Sequence, residues 1–287
     1  MRDLRYGIEI EMTGLSRGKA AETLAGFFGT RAEHTGGGYD AYAMRDAQGR
    51  VWKIVSDGSI QTQKKVRGQT VAADSTYSVE LVSPVCVYED IETIQEIVRA
   101  LRRNNALVND SCGIHVHVGA EKFDAQHLRN ITNIMASKEE LIYKALQVDL
   151  NRSQDYCRRV EQRFLRQVNE QKPQSLDRFK SIWYNGRDGS NVHYHASRYH
   201  ALNLHSVFQK WYAAGCCTAM SCCSAVHSSA RWRRWSQSPG PACLCLYGSS
   251  GRLTNGRSIS MRDIRTCTVR KIFPSRWTAG NGTLWHT

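Results

Sequence analysis

Three short stretches, far apart in the chain, repeat one two-residue pattern: "GIEIEM" from Gly7, "VELV" from Val79 and "GIHVHVG" from Gly113. On a strand, successive side chains point to opposite faces. Ile8, Ile10 and Met12 therefore share one side, and Glu9 and Glu11 the other. Likewise Glu80 opposes Val79 and Leu81, and His115 and His117 oppose Ile114, Val116 and Val118. The aliphatic faces call for a core, while the faces carrying carboxylate and imidazole look at water, a partner strand or a site. If the strands are neighbours in one sheet, their polar faces converge.

The segments between them alternate in type. Ser16 caps a predicted helix running to Phe28, with Gly29 as its stop. The stretch from His34 to Ile60 reads as strand, turn at "DAQG", strand, and a second turn at Asp57-Gly58, with Gly36, Gly37 and Gly38 in a loop. Residues 89–105 form an amphipathic helix on Ile91, Ile94, Val98 and Leu101. Asp124 caps the next helix, and Ser137 has capping-box spacing for a further helix or a continuation. A helix is expected around 156–169, a mobile loop past Pro173, and a packed strand in the His-rich stretch from His193 to Phe208. This mixed order predicts an α+β fold with one curved, mainly antiparallel sheet backed by helices.

The net charge of +13 suggests a polyanionic partner until it is located. Residues 1–210 hold 29 Lys and Arg against 25 Asp and Glu, a balance of +4, whereas residues 211–287 hold 10 against the single acid Asp263, a balance of +9. Seven of the ten cysteines and five of the seven tryptophans also lie in 211–287. The organisation expected is therefore a catalytic domain over 1–210 and an anomalous tail over 211–287. The tail's thiols occur as CC, CC and CxC, without zinc-ribbon spacing, and "RWRRW" is one short run of the kind that binds nucleic acid or membrane. No stretch of about 18 apolar residues is present, and the first residues lack a signal-peptide apolar region, so the expected location is cytoplasmic.

Glu9, Glu11, Glu80, His115 and His117, with Asp57 at a strand end, make a ligand set of carboxylates and imidazoles without cysteine. That chemistry suits Mg²⁺ or Mn²⁺ better than a structural zinc. It also suits phosphoryl chemistry on ATP, where metal neutralises charge on the phosphate oxygens. No Walker A motif occurs, so any nucleotide site is of another kind. Each element has a plainer reading. Glu9 and Glu11 serve as charges on a sheet edge, Glu80 as a surface residue, Asp57-Gly58 as a turn, and Cys112 as a small packed residue. His193, His195, His200 and His205 read as structural rather than as metal ligands. The joint occurrence of ExE and HxH favours a site.

"YGIEIEMTGLSR", "VSDGSI", "VELVSP", "CGIHVHVGA" and "RYHALNLHS" stand in the order seen in the amidoligase family, a branch of the glutamine-synthetase-like carboxylate–amine ligases. The resemblance spans residues 5–209. It implies a curved antiparallel half-barrel holding divalent metals and ATP, and amide formation in which ATP phosphorylates a carboxylate and an amine displaces phosphate. By this resemblance Glu9, Glu11, Glu80 and His115 correspond to metal ligands and His117 to a contact with the ATP phosphates. Asp57 matches the family's Asp-Gly turn, and Arg198 and Asn203 match "RYxxLN", positions implied to meet nucleotide or substrate. Small-molecule or peptide carboxylates and amines are the implied substrates, with oligomers known among related ligases and no membrane or nucleic-acid partner. After Lys210 the family continues into a strand of the kind G-T-x-E-F-R, whereas this chain reads "WYAAGCCTAMSCC". The coincidence of that departure with the change of composition suggests a shifted reading frame and a domain without its final strands. Three other readings stand beside the ligase: a metal-dependent hydrolase using the same Glu/His cluster, a nucleic-acid binder acting through the tail, and an inactive product.

Overall fold

The computed structural model describes residues 4–208 except 147, 149 and 193, together with residues 217–222. Its frame is a seven-stranded sheet in the order β2-β3-β4-β7-β1-β8-β9, with every pairing antiparallel. The strands are β1 (Tyr6–Met12), β2 (Glu33–Gly36), β3 (Ala41–Arg45), β4 (Val51–Val55), β7 (Val79–Val82), β8 (Ile114–Gly119) and β9 (Cys217–Cys222). A separate hairpin is made by β5 (Gln63–Val66) and β6 (Gln69–Ala72). The sheet is open, with β2 and β9 at its edges, and does not close into a barrel.

The period-2 pattern decides which side is covered. Ile8, Ile10, Met12, Trp52, Ile54, Val79 and Leu81 are buried in one cluster with Ala20, Ala21 and Leu24 of α1 (Arg17–Phe28) and Ile94, Ile97 and Leu101 of α2 (Ile91–Arg103). Ser16 Oγ accepts from the Lys19 N–H at the start of α1, and Gly29 ends it in the left-handed conformation (φ 67°). On α2 it is Ile97, one residue from the expected stripe member Val98, that is fully covered.

A second core gathers Leu128 and Met135 of α3 (Ala125–Leu146), Phe164 and Val168 of α5 (Gln162–Gln171), Phe179 and Ile182 of α6 (Leu176–Trp183), and Leu202, Leu204 and Phe208. Here α4 covers Leu150–Asp155 and α7 covers His205–Phe208. "SKEE" proves to be the continuation of α3, with Ser137 Oγ donating back to Ile134 O. Two expectations are overturned. The stretch past Pro173 is α6 rather than a loop, because Ser175 caps it by accepting from the Arg178 N–H and Phe179 and Ile182 supply a buried stripe. The His-rich stretch is not a strand among the described residues. It forms a 3-10 turn at Ala196–Arg198, one bridge from His200 to Arg158, and the short α7.

Within the segment read as an anomalous tail, β9 lies along the outer edge of β8, with His115 opposite Ser221 and His117 opposite Ala219. The edge of β8 offers a row of backbone donors and acceptors, and any short extended run can pair with it. The rest of 211–287, including "RWRRW" and the remaining tail cysteines, lies outside the described residues, as does His193. No helix among the described residues is long and apolar enough to cross a membrane.

Candidate functional site: a carboxylate–imidazole face

Because β1 is central, its polar face is bordered by β7 on one side and β8 on the other. Glu11 stands opposite Glu80, Glu9 opposite Val82 and His115, and Gly7 opposite His117. Register thus places Glu9, Glu11, Glu80, His115 and His117 on one face, the side away from the buried Ile8, Ile10 and Leu81. Asp57 joins them from the turn after β4, which pairs with β7.

The tightest group is Glu11, Asp57 and Glu80, each offering a carboxylate oxygen, all within 4.8 Å of one another. Three negative charges this close, partly withdrawn from water, cannot all remain ionised without a cation. Burial, reinforced by the charges of Glu9, Glu11 and Asp57, pushes the Glu80 carboxyl up to about 8, and His115 only partly offsets this.

Each member is held in place. Glu11 is almost fully buried; its Oε2 accepts the Gly113 N–H at 2.5 Å, and its Oε1 lies 3.4 Å from His115 Nε2. Asp57 is pinned through its backbone by the buried Ser78, whose Oγ accepts the Asp57 N–H (2.9 Å) and donates to Asp57 O (2.6 Å). Asp57 Oδ1 in turn accepts the Ser59 N–H. Behind Ser78, the Arg17 guanidinium donates to Ser78 O at 2.9 Å and is paired with Asp40 at 2.6 Å.

Glu9 forms a second pair with β8. His117 Nε2 stands 3.1 Å from Glu9 Oε2, an ion-pair distance, and beyond this contact the buried nitrogen has no partner among the described residues. Burial raises the Glu9 carboxyl, but His117 and His115 together outweigh it and leave it below the ordinary glutamate value. The face therefore carries two adjoining centres, a triad of carboxylates and a glutamate–histidine pair.

Asn203 and Arg198 lie on the segment that runs from the 3-10 turn at Ala196–Arg198 into α7. Asn203 is buried and its Oδ1 accepts the His205 N–H, capping α7. Arg198 ends the 3-10 turn that begins at Ala196. His205 is buried with its Nδ1 2.6 Å from Tyr184 Oη, and His200 packs on Trp183 with Glu161 at 3.7 Å. Among the described residues these histidines join no group of three ligand-type side chains. Cys112 is buried, as its plainer reading required.

Four contributors stand outside the residues singled out in the sequence. Ser78 shares the alternation of Glu80 two residues on, a signal that was present. Gly113 serves through its N–H, and Arg17 through a contact 61 residues away; neither leaves a mark in local sequence. Lys53 faces the same side as Glu9, opposite Val82, and adds a cation two strands away.

A family model described as "putative amidoligase enzyme" matches residues 2–212. No curated protein and no solved structure matches the chain.

Proposed function

Since the chain belongs to the amidoligase family, we propose that it is an ATP- and divalent-metal-dependent carboxylate–amine ligase. The observation that carries this reading is the triad Glu11, Asp57 and Glu80, whose oxygens lie within 4.8 Å of one another. The residues fit the ion: an all-oxygen donor set suits Mg²⁺ or Mn²⁺, and the raised Glu80 marks a place where a cation relieves repulsion. Glu11, Asp57 and Glu80 would hold one ion, and Glu9 and His115 border it on the adjoining side. A divalent ion at such a site neutralises charge on transferring phosphoryl oxygens.

The protein's own groups then have definable tasks. The Gly113 and Ser59 N–H groups fix the directions of the Glu11 and Asp57 carboxylates, and Ser78 holds the Asp57 backbone, so that little reorganisation accompanies binding. His117, whose Nε2 has no partner beyond Glu9 among the described residues, is the group suited to donate to a phosphate oxygen. In the overall reaction a substrate carboxylate oxygen takes the γ-phosphoryl group with ADP leaving. An amine nitrogen then attacks the acyl carbon, loses a proton and expels phosphate. The carboxylate and amine belong to small molecules or peptides.

Thermal unfolding tests the proposal. Mg²⁺ should raise the melting temperature, and a non-hydrolysable ATP analogue should raise it further only with Mg²⁺ present. Glu11→Gln should abolish both effects. A Mg²⁺ effect with no response to nucleotide would instead favour a metal-dependent hydrolase on the same cluster.

A further inference from the structure

The chain between Asp57 and Glu80, the two triad members that do not lie on β1, leaves the sheet and forms the β5–β6 hairpin. Its root is tied to the site from three directions. Thr13, two residues beyond Glu11, exchanges bonds with Gln63: its Oγ1 donates to Gln63 O (2.9 Å) and accepts the Gln63 N–H (2.8 Å). Gln61 bonds Ser111 and Asn109, in the loop leading to Gly113. Ser78 clamps Asp57 from the returning strand.

Beyond that root the hairpin is bare. All of β6 is exposed, as are Val66 (45%) and Val71 (39%). A lone two-stranded hairpin is marginal in water. From Gly58 to Ala73 there is no acid, while Lys64, Lys65 and Arg67 are all basic. Lys64 feels the Asp74 carboxylate at the foot of the hairpin and its ammonium rests 5.1 Å above the Tyr77 ring, while no ion pair is formed by Lys65 or Arg67 among the described residues. Arg67 and Gly68 make the turn with positive φ (49° and 83°), a conformation that favours Asn or Gly at the first position, so the tip holds an arginine at some local cost.

The edge of β6 is open as well. The Ala73 N–H donates to Thr62 O, so by the alternation of an antiparallel ladder the bonded pairs are Thr62–Ala73, Lys64–Val71 and Val66–Gln69. The N–H groups of Thr70 and Ala72 then point away from β5. An extended chain can add there as a third strand.

We propose that this hairpin is the substrate-reading arm of the site and that its occupant is an extended acidic peptide. The peptide pairs with the open edge of β6, sets its extra carboxylates against Lys64, Lys65 and Arg67, and delivers one carboxylate to the triad. This rests on the ligase reading of the site. Charge complementarity favours it: a cationic arm rising from an anionic centre accommodates a ligand that offers one carboxylate to bound metal and others to the arm.

The test is fluorescence anisotropy of a labelled hexaglutamate peptide with the full chain. Hexaglutamine and a hexathymidylate oligonucleotide serve as comparisons, each at 50 and 200 mM salt. Hexaglutamate should bind at least tenfold tighter than the other two. Combined Lys64→Gln, Lys65→Gln and Arg67→Asn should weaken it tenfold or more while the Mg²⁺-induced rise in melting temperature persists. Thr70→Pro, which removes an outward N–H without touching the β5–β6 bonds, should also weaken it. Equal binding of hexaglutamine would overturn the proposal, as would equal binding of hexathymidylate. Wild-type affinity in the triple variant would also do so, placing the peptide on the basic 211–287 segment instead. Peptide binding that survives while Mg²⁺-dependent nucleotide binding proves absent would refute the ligase reading and leave the arm standing.

Discussion

Replacing Glu80 by glutamine should make the metal-free protein more stable and the metal-loaded protein no more stable than the metal-free one. In the folded chain Glu80 keeps its proton up to about pH 8, because burial and the charges of Glu9, Glu11 and Asp57 oppose ionisation. In the unfolded chain it releases that proton near 4.5, the ordinary glutamate value. A raised carboxyl binds its proton more tightly when folded, so the associated stability is fully present below 4.5 and is lost as pH rises towards 8. Each pH unit in that window costs about 1.4 kcal/mol, so by pH 7 the metal-free wild type has lost about 3 kcal/mol. Glutamine keeps the shape and has no proton to lose.

The assay is urea unfolding in EDTA at pH 5, 6, 7 and 8 for both proteins, with the stability difference plotted against pH. The variant should gain on the wild type by about 1.4 kcal/mol per unit, and the roughly 3 kcal/mol accumulated by pH 7 corresponds to about 6–12 °C in melting temperature for a domain of this size. Adding Mg²⁺ should raise the wild type and leave the variant unmoved. A difference that stays flat between pH 5 and 8 would refute the electrostatic reasoning. A wild-type response to Mg²⁺ in the variant would remove Glu80 from the ligand set.

Three other perturbations probe the framework. Ser78→Ala releases Asp57 and should weaken Mg²⁺ binding by about 10–100-fold, measured by calorimetry, while costing only about 1–2 kcal/mol of stability. Arg50 bridges Asp46 and Asp90, each at 2.8 Å; the Trp52 indole N–H together with Arg50 holds the Asp46 carboxyl below the usual range, and Arg50 holds that of Asp90 below it. Arg50→Ala should therefore cost about 2–3 kcal/mol at pH 7. Because depressed carboxyls lose their contribution as pH falls through their folded values, that cost should shrink in acid unfolding curves run below pH 4. Gly14 has φ 89°, and an added Cβ would meet Asn105 O at 2.4 Å, so Gly14→Ala should lower the melting temperature sharply and loosen the adjoining Thr13–Gln63 root.

What could be read in the sequence follows the range over which each physical cause acts. The alternation of Ile8 to Met12 and of Ile114 to Val118 is a local signal, and it set both the buried face and the polar face. The Ser16 cap and Gly29 stop are local too, and α1 ends where they require. Convergence of Glu11, Asp57 and Glu80 depends on strand order, which local pattern leaves open. It was legible only on the condition that these strands are neighbours, which the β4-β7-β1 pairing meets. α6 was missed because Pro173 and a polar composition dominate the window, while Phe179 and Ile182 gain their meaning from Phe164 and Val168, supplied by another helix. The β5–β6 hairpin was missed for a related reason. Its "VRGQ" turn lacks the Asn-Gly signature, and its residues alternate without a buried face, since Val66 and Val71 remain exposed. Packing selects most strands, whereas this one is held by bonds to Thr13, Ser111 and Asn109 at its root. A strand kept for its edge and its charges, rather than for its core, is the kind that hydrophobic periodicity passes over.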